Sequence, residues 1–242
     1  MSRSFATTSD SLTSVNNVTA LSTPISCAIW GKVTNSTGVG GSGNIWDFNA
    51  SYGMAVNNSS QISAELPGGG VIGTSSLNTW FHAGWTALLN NTSQTAQYYF
   101  NGTNSGSSTA NMGGGFNTFQ ITAGAGPFGG SINGGSLADF AIWTDILTLA
   151  EYQALSKGVR PYNIRPTKLL IYWPIDGIQS PEPDFSGKAN NATVAGTARS
   201  FGPPFLPFTP RWPRLDPVFT PTIIPAQAVA AHFSRKVNVV GY

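Results

Sequence analysis

Between Gly134 and Pro161 the chain reads GGSLADFAIWTDILTLAEYQALSKGVRP, and no other stretch limits the available folds so far. Leu137, Asp139, Ala141 and Trp143 alternate with Ala138, Phe140 and Ile142, the period of two that marks a strand. The period then changes. Thr148 and Glu151 have the spacing of a capping box, in which hydroxyl and carboxylate each satisfy a free backbone N–H at a helix start. Leu149, Tyr152 and Leu155 supply an apolar stripe, Gly158 a left-handed stop, and Pro161 lies just beyond. The segment predicts a buried strand running into one short helix.

The rest of the first 200 residues reads as β. Over residues 25–34, Ile25, Cys27, Ile29 and Val33 face one way and Ala28, Trp30, Lys32 and Thr34 the other. A glycine-rich turn at 38–43 precedes a hairpin of residues 44–49 and 52–56, and a strand at 61–66 follows. Residues 79–89 and 94–101 form a second hairpin, with Asn101 and Gly102 suited to a turn of positive φ. Residues 103–115 are small and read as flexible; 118–123 is another strand. At 169–175 the run LLIYWPI predicts a strand whose Pro174 favours an edge position. Roughly twelve strands result, enough for two packed antiparallel sheets with the helix on the rim.

These motifs resemble the laminin-G-like (concanavalin-A-like) jelly-roll family. The strand and helix positions Gly135, Leu137, Asp139, Phe140, Ala141, Ile142, Trp143, Leu147, Thr148, Glu151 and Leu155 match its closing segment. Residues 25–34 resemble an early strand of the family. Trp80, His82, Tyr99, Phe100, Asn101 and Gly102 match its central hairpin, and residues 4–12 resemble its opening edge strand. Residues 184–196, DFSGKANNATVAG, resemble the run that normally opens such a domain. Here that run follows the helix, and too little chain remains for a second sandwich. It is therefore expected to complete this one. The resemblance implies an all-β, two-sheet antiparallel jelly-roll sandwich over residues 1–200, of the kind found in bacteriophage virion proteins. It leaves function open, because this fold hosts lectins, glycosidases, receptor modules and virion proteins.

Composition narrows the chemistry. Only 9% of the 242 residues are charged, against about a quarter in an average soluble domain. The single Cys27 excludes an internal disulfide and, set in ISCAIW, reads as a small core residue. The opening residues lack an apolar h-region, so no secretory leader is expected. No apolar run reaches 18 residues, so no membrane span is expected either. A glycosidase on this fold needs two carboxylates within about 5–9 Å. Glu65 has no acidic neighbour in sequence, Glu151 is committed to the cap, and Glu182 sits in a PEPD turn, so no enzyme is expected. No cofactor is expected. The resemblance allows calcium, with Asp47, Asp139 and Asp145 as candidate ligands, although Asp139 is better placed to cap local backbone. His82 reads as a structural imidazole.

Charge divides unevenly along the chain. Residues 1–156 hold two basic and six acidic side chains, and residues 157–242 hold ten basic and four acidic ones. The basic residues are dispersed, which favours an acidic protein partner over nucleic acid. Eight of the 16 prolines lie between Pro203 and Pro225, interleaved with aromatics. That spacing forbids helix and central strand and predicts an extended docking arm over residues 201–242. Phe205, Phe208, Trp212, Arg214 and Phe219 are its candidate partner-docking residues.

The expected function is a non-enzymatic virion structural protein: a capsid decoration, head-fibre or tail component, homo-oligomeric, docked on a capsid or other virion protein through its arm. The alternative is a carbohydrate-binding adhesin that recognises host surface glycans. For that role Trp30, Trp85 and Tyr99 are candidates to stack on a pyranose ring, unless they fill the interior instead.

Overall fold

The computed structural model describes residues 1–16, 18, 24–34, 42–48, 52–57, 60–66, 68–88, 94–110, 120–124, 132 and 134–204. Among them the chain forms β1 (Ser2–Phe5), β2 (Ser11–Ser14), β3 (Ile25–Lys32), β4 (Ser42–Phe48), β5 (Tyr52–Asn57), β6 (Gln61–Glu65) and β7 (Val71–Thr74). There follow β8 (Trp80–Ala87), β9 (Gln94–Phe100), β10 (Thr103–Ala110), β11 (Ile121–Ala123), β12 (Gly135–Trp143) and the helix α1 (Leu149–Ser156). Two 3-10 turns, Pro161–Asn163 and Pro166–Lys168, lead to β13 (Leu169–Trp173), β14 (Ala192–Ala195) and β15 (Ala198–Ser200).

Two antiparallel sheets result. Sheet A runs β10-β9-β8-β3-β12-β1-β15, with β13 also on β12; sheet B runs β14-β2-β11-β4-β5-β6-β7. The inward positions of both sheets meet in one core. At its centre Trp46 stacks on Trp85 with centroids 5.8 Å apart, and Phe140 bridges Trp46 and Trp173 at 5.2 and 5.4 Å. Fully burying one such ring contributes about 2–3 kcal/mol. Two of these indole N–H groups find carbonyls: Trp85 donates to Gly53 O at 3.0 Å and Trp173 to Asn190 O at 2.7 Å.

The strand at the centre of the prediction departs from simple alternation. A bulge between Ala138 and Ala141 leaves Asp139 at φ +47°, where aspartate is tolerated better than most residues. Leu137 therefore joins Phe140 and Ile142 in the inter-sheet core, while Ala141 and Trp143 face outward. The bulge lies where β12 changes neighbours. Its first residues pair with β1 and its last with β13, and Asp139 N donates to Pro174 O at 3.0 Å between them.

The capping box forms as expected. Thr148 Oγ1 accepts from Glu151 N at 3.3 Å, and Glu151 Oε2 accepts from Thr148 N at 2.7 Å. Gly158 takes φ +89° after the last turn. Tyr152 and Leu155 are buried, but Leu149 is 41% exposed, so the stripe is narrower than expected. The helix lies on the outer face of sheet A. There Tyr152 stacks on Tyr99 at 3.8 Å and donates its hydroxyl to Cys27 O and Trp85 O, at 3.1 and 2.8 Å.

Three expectations change. Residues 4–12 are not one edge strand: β1 and β2 belong to different sheets, joined by a turn in which the Asp10 carboxylate accepts from Ala6 N and Thr7 N. Residues 103–110 form the edge strand β10, held in register by β9. Val71–Thr74 is a strand on β6 that the sequence reading passed over. The run after the helix does complete this sandwich, since β14 pairs with β2 and β15 with β1. A buried ion pair fastens that closure: Arg3 Nε donates to Glu182 Oε2 at 2.8 Å and a second guanidinium nitrogen donates to Gln179 O.

Candidate functional site

The three aromatic candidates for sugar stacking lie inside. Trp85 has no exposed surface, between Trp46 and its bond to Gly53. Tyr99 is buried under Tyr152, and Trp30 is buried with its ring 5.3 Å from that of His82. None offers a free ring face. Phe205, Phe208, Trp212, Arg214 and Phe219 lie outside the described residues.

The calcium candidates are dispersed. Asp139 is buried, and Arg160 Nη1 reaches its two oxygens at 2.6 and 2.8 Å while the Tyr172 hydroxyl donates at 2.6 Å. It binds side chains through its carboxylate, not the local backbone the sequence suggested. Burial pushes its carboxyl above the usual range, against the pull of Arg160 and Tyr172. Asp145 is held by Arg165, whose guanidinium also grips Glu151 at 2.6 and 2.9 Å. Asp47 stands on the other sheet. Among the described residues no three His, Cys, Asp or Glu side chains converge as a metal site.

Asp47 does have an acidic neighbour that sequence spacing hid. Outward residues line up across sheet B in the order Thr193, Thr13, Thr122, Asp47, Gly53 and Glu65. A side chain at Gly53 would collide with the Trp46 carbonyl and stand 3.3 Å from Glu65 Oε2. Glycine thus lets the two acids face each other across one strand. Burial, and then the charge on Asp47, push the Glu65 carboxyl up to about 7. Asp47 itself is only 2% exposed, so this pair does not present two carboxylates to a bond in a cleft, as glycoside hydrolysis requires.

On sheet A a shallow recess of about 190 Å³, open solvent included, lies between Trp30, His82, Asp139, Leu155 and Val159. It falls below the few hundred Å³ of an ordinary ligand pocket. Burial lowers the His82 pKa to about 3, so the ring is neutral, and its Nδ1 has no partner among the described residues.

Two accessible aromatic rings, apart from the 89% exposed Phe201, pack against β13. Tyr172 is flanked by two rings, Tyr162 at 6.0 Å and Phe185 at 6.1 Å, inclined at 50° and 60°. Tyr172 is buried, whereas Tyr162 is 38% and Phe185 51% exposed. Phe185 rides on a turn tied down by Asp184. The Asp184 carboxylate accepts from Tyr172 N, Ser186 N, Ser186 Oγ and Asn190 N at 2.7–2.9 Å. Phe185 N donates to Tyr172 O at 2.8 Å, and Ser186 Oγ and Asn190 Nδ2 both donate to Leu170 O. A turn so bonded holds its aromatic ring in place before any ligand arrives, which lowers the entropy lost on binding. The sequence reading used DFSGK only as a mark of fold. An aromatic inside a Gly- and Ser-containing turn, outside any strand period, was the signal available.

No protein-family model and no curated protein sequence matches the chain. Solved structures do match in fold. A protein from Bacteroides ovatus ATCC 8483 proposed to bind carbohydrate superposes with TM-score 0.64 at 14% identity, over 83% of this chain and 60% of that one. The heptameric SAP-like pentraxin of Limulus polyphemus gives TM-score 0.50 at 14% identity, over 66% and 83% of the two chains. The receptor-binding domain of botulinum neurotoxin D gives 0.50 at 16%, over 65% and 44%. The shared fold is a two-sheet antiparallel β-sandwich. The chain spans 60% of the length of the Bacteroides ovatus protein.

Proposed function

We propose that this protein is a carbohydrate-binding module that holds a sugar ring on the platform of Tyr162, Tyr172 and Phe185. The observation that carries the reading is the pair of exposed rings that each pack against a buried third. Sugars present apolar C–H faces to such rings and hydroxyls to the polar groups around them. Asn163, next to Tyr162 in sequence, and Lys188, in the Phe185 turn, are exposed and would serve the hydroxyls. The fold shared with a protein proposed to bind carbohydrate supports the same class. A glycan panel probed with purified protein tests it. Phe185→Ala should weaken binding about tenfold, the loss of one favourable ring contact. A panel with no ligand, or full binding by Phe185→Ala, would remove the platform from consideration.

A second proposal concerns attachment. The last strand of the described sheets ends at Ser200, and the proline–aromatic composition begins directly after it. Residues 201–242 would dock the module on a larger protein assembly, a virion being the setting the resemblance suggests. A chain ending at Pro204 should then melt within a few degrees of the full chain. Aggregation or unfolding of the shortened chain would mean that the arm belongs to the sandwich.

A further inference from the structure

Resting on the platform reading, we infer that its ligand is an anionic sugar, a pyranose bearing a carboxylate or a sulfate. The aromatic rings are indifferent to charge, so the choice falls to the groups around them. Lys188 lies three residues after Phe185 in the same turn, its backbone N donating to Ser186 Oγ at 3.2 Å. Lys168 ends the 3-10 turn two residues before Leu170, whose carbonyl receives both Ser186 Oγ and Asn190 Nδ2. Lys168 thus precedes the end of β13 on which Ser186 and Asn190 are bonded, and Lys188 follows Ser186 in the turn whose Phe185 is bonded to Tyr172. Both are exposed, and neither forms an ion pair among the described residues.

The nearby acids are already engaged. Asp184 is surrounded by four donors, Glu182 is buried against Arg3, Asp139 is held by Arg160, and Asp145, which also feels the charge of Lys168, is bonded to Arg165. The opposite face is unfit for an anion. Sheet B carries Asp47 and Glu65 and not one Lys or Arg in its strands, and the sequence has no basic residue between Lys32 and Lys157. The uneven charge of the chain thus becomes a difference between faces. An acidic ligand is repelled from sheet B and drawn to the lysines by the platform, an attraction that falls with salt.

Calorimetric titration of the full chain with matched oligosaccharides tests this. The pairs are glucuronate- against glucose-terminated, and 6-sulfogalactose- against galactose-terminated, each at 50 and 300 mM NaCl. At least one acidic member should bind about tenfold tighter than its neutral match at low salt, with the gap narrowing at high salt. Binding of the glucuronate member alone identifies a carboxylate ligand, and of the sulfated member alone a sulfate ligand. Lys188→Ala and Lys168→Ala should each lower acidic-sugar affinity about threefold, and Phe185→Ala about tenfold, with melting temperatures unchanged. Equal binding of neutral and acidic members, lost in Phe185→Ala, would overturn the anionic ligand and leave the platform standing. Acidic binding that survives Phe185→Ala would be diffuse attraction and would overturn it too. No binding by any member removes both readings.

Discussion

On the outer face of sheet A, Ala28, Tyr99, Ala141, Trp143 and Tyr172 are packed beneath α1 and the segments around it, forming a second apolar cluster. On the outer face of sheet B, β2, β11, β4 and β6 present Thr13, Thr122, Asp47, Ser63 and Glu65, all polar or acidic, and β5 presents Gly53 and Ala55. Both sheets share one core and one antiparallel plan, yet among the described residues only sheet A carries a helix on its outer face, as a lid. The lid has a consequence for function. By covering β3, β8 and β12 it displaces accessible aromatics to the end of the face, where Tyr162 and Phe185 emerge over β13. A covered face concentrates stability in the interior, and in the proposed reading the sugar is held at the rim of the cover.

The largest expected effect tests the lid. Tyr152→Ala should cost about 3–5 kcal/mol, since it empties a fully buried ring site and strips two hydrogen bonds from the Cys27 and Trp85 carbonyls. Thr122→Ala, outward on sheet B, should stay within about 0.5 kcal/mol. Urea denaturation of both variants measures the ratio. Equal losses would show that the two outer faces carry similar weight.

Next comes the bulge that joins lid to sheet. Asp139→Asn keeps an acceptor for Tyr172 and suits the positive φ, but leaves Arg160 without its counter-charge. A loss of about 2–3 kcal/mol is expected. If Asn is tolerated without loss, the ion pair is not what holds Arg160 and the turn after α1 to β12. A smaller effect should follow Thr148→Ala, about 1 kcal/mol from the freed backbone donor at the helix start. The glycan affinity of that variant should be unaltered, because the cap lies outside the platform.

How far the sequence reveals these faces depends on the range of the interaction. The capping box, the Gly158 stop and the Asn101–Gly102 turn are local, and each appears where its spacing places it. The alternation of β3 is equally local. The bulge at Asp139 is not, because it answers to a change of neighbours from β1 to β13, strands more than a hundred residues apart in sequence. The row from Thr13 to Glu65 draws on five strands, and only their mutual register sets Asp47 against Glu65. Strand β10, all small and polar, has no apolar period to read and is defined by its pairing with β9. Trp85 shows the same limit for function, since its composition suits a sugar platform and a core equally and burial alone decides.

The last comparison separates the two faces by pH. Glu65, raised to about 7 from an ordinary 4.5, binds more protons folded than unfolded. Its contribution to stability is complete below about pH 4.5 and is lost as pH rises toward and through 7. His82, lowered to about 3 from 6.5, binds fewer protons folded, so its contribution is present above 6.5 and lost as pH falls toward 3. Between 4.5 and 6.5 the two slopes oppose each other. Glu65→Gln removes one of them. The stability of this variant relative to the parent should therefore climb from pH 4.5 to 7 and level off above, and its own curve should rise more steeply with pH up to 6.5. Melting temperatures of both proteins at half-unit intervals give the difference directly, with the titrations of all other groups cancelling. A difference independent of pH would mean that Glu65 is an ordinary surface carboxylate. Asp47 would then not be raising Glu65 across Gly53, and the pH dependence would rest on His82 and the remaining groups.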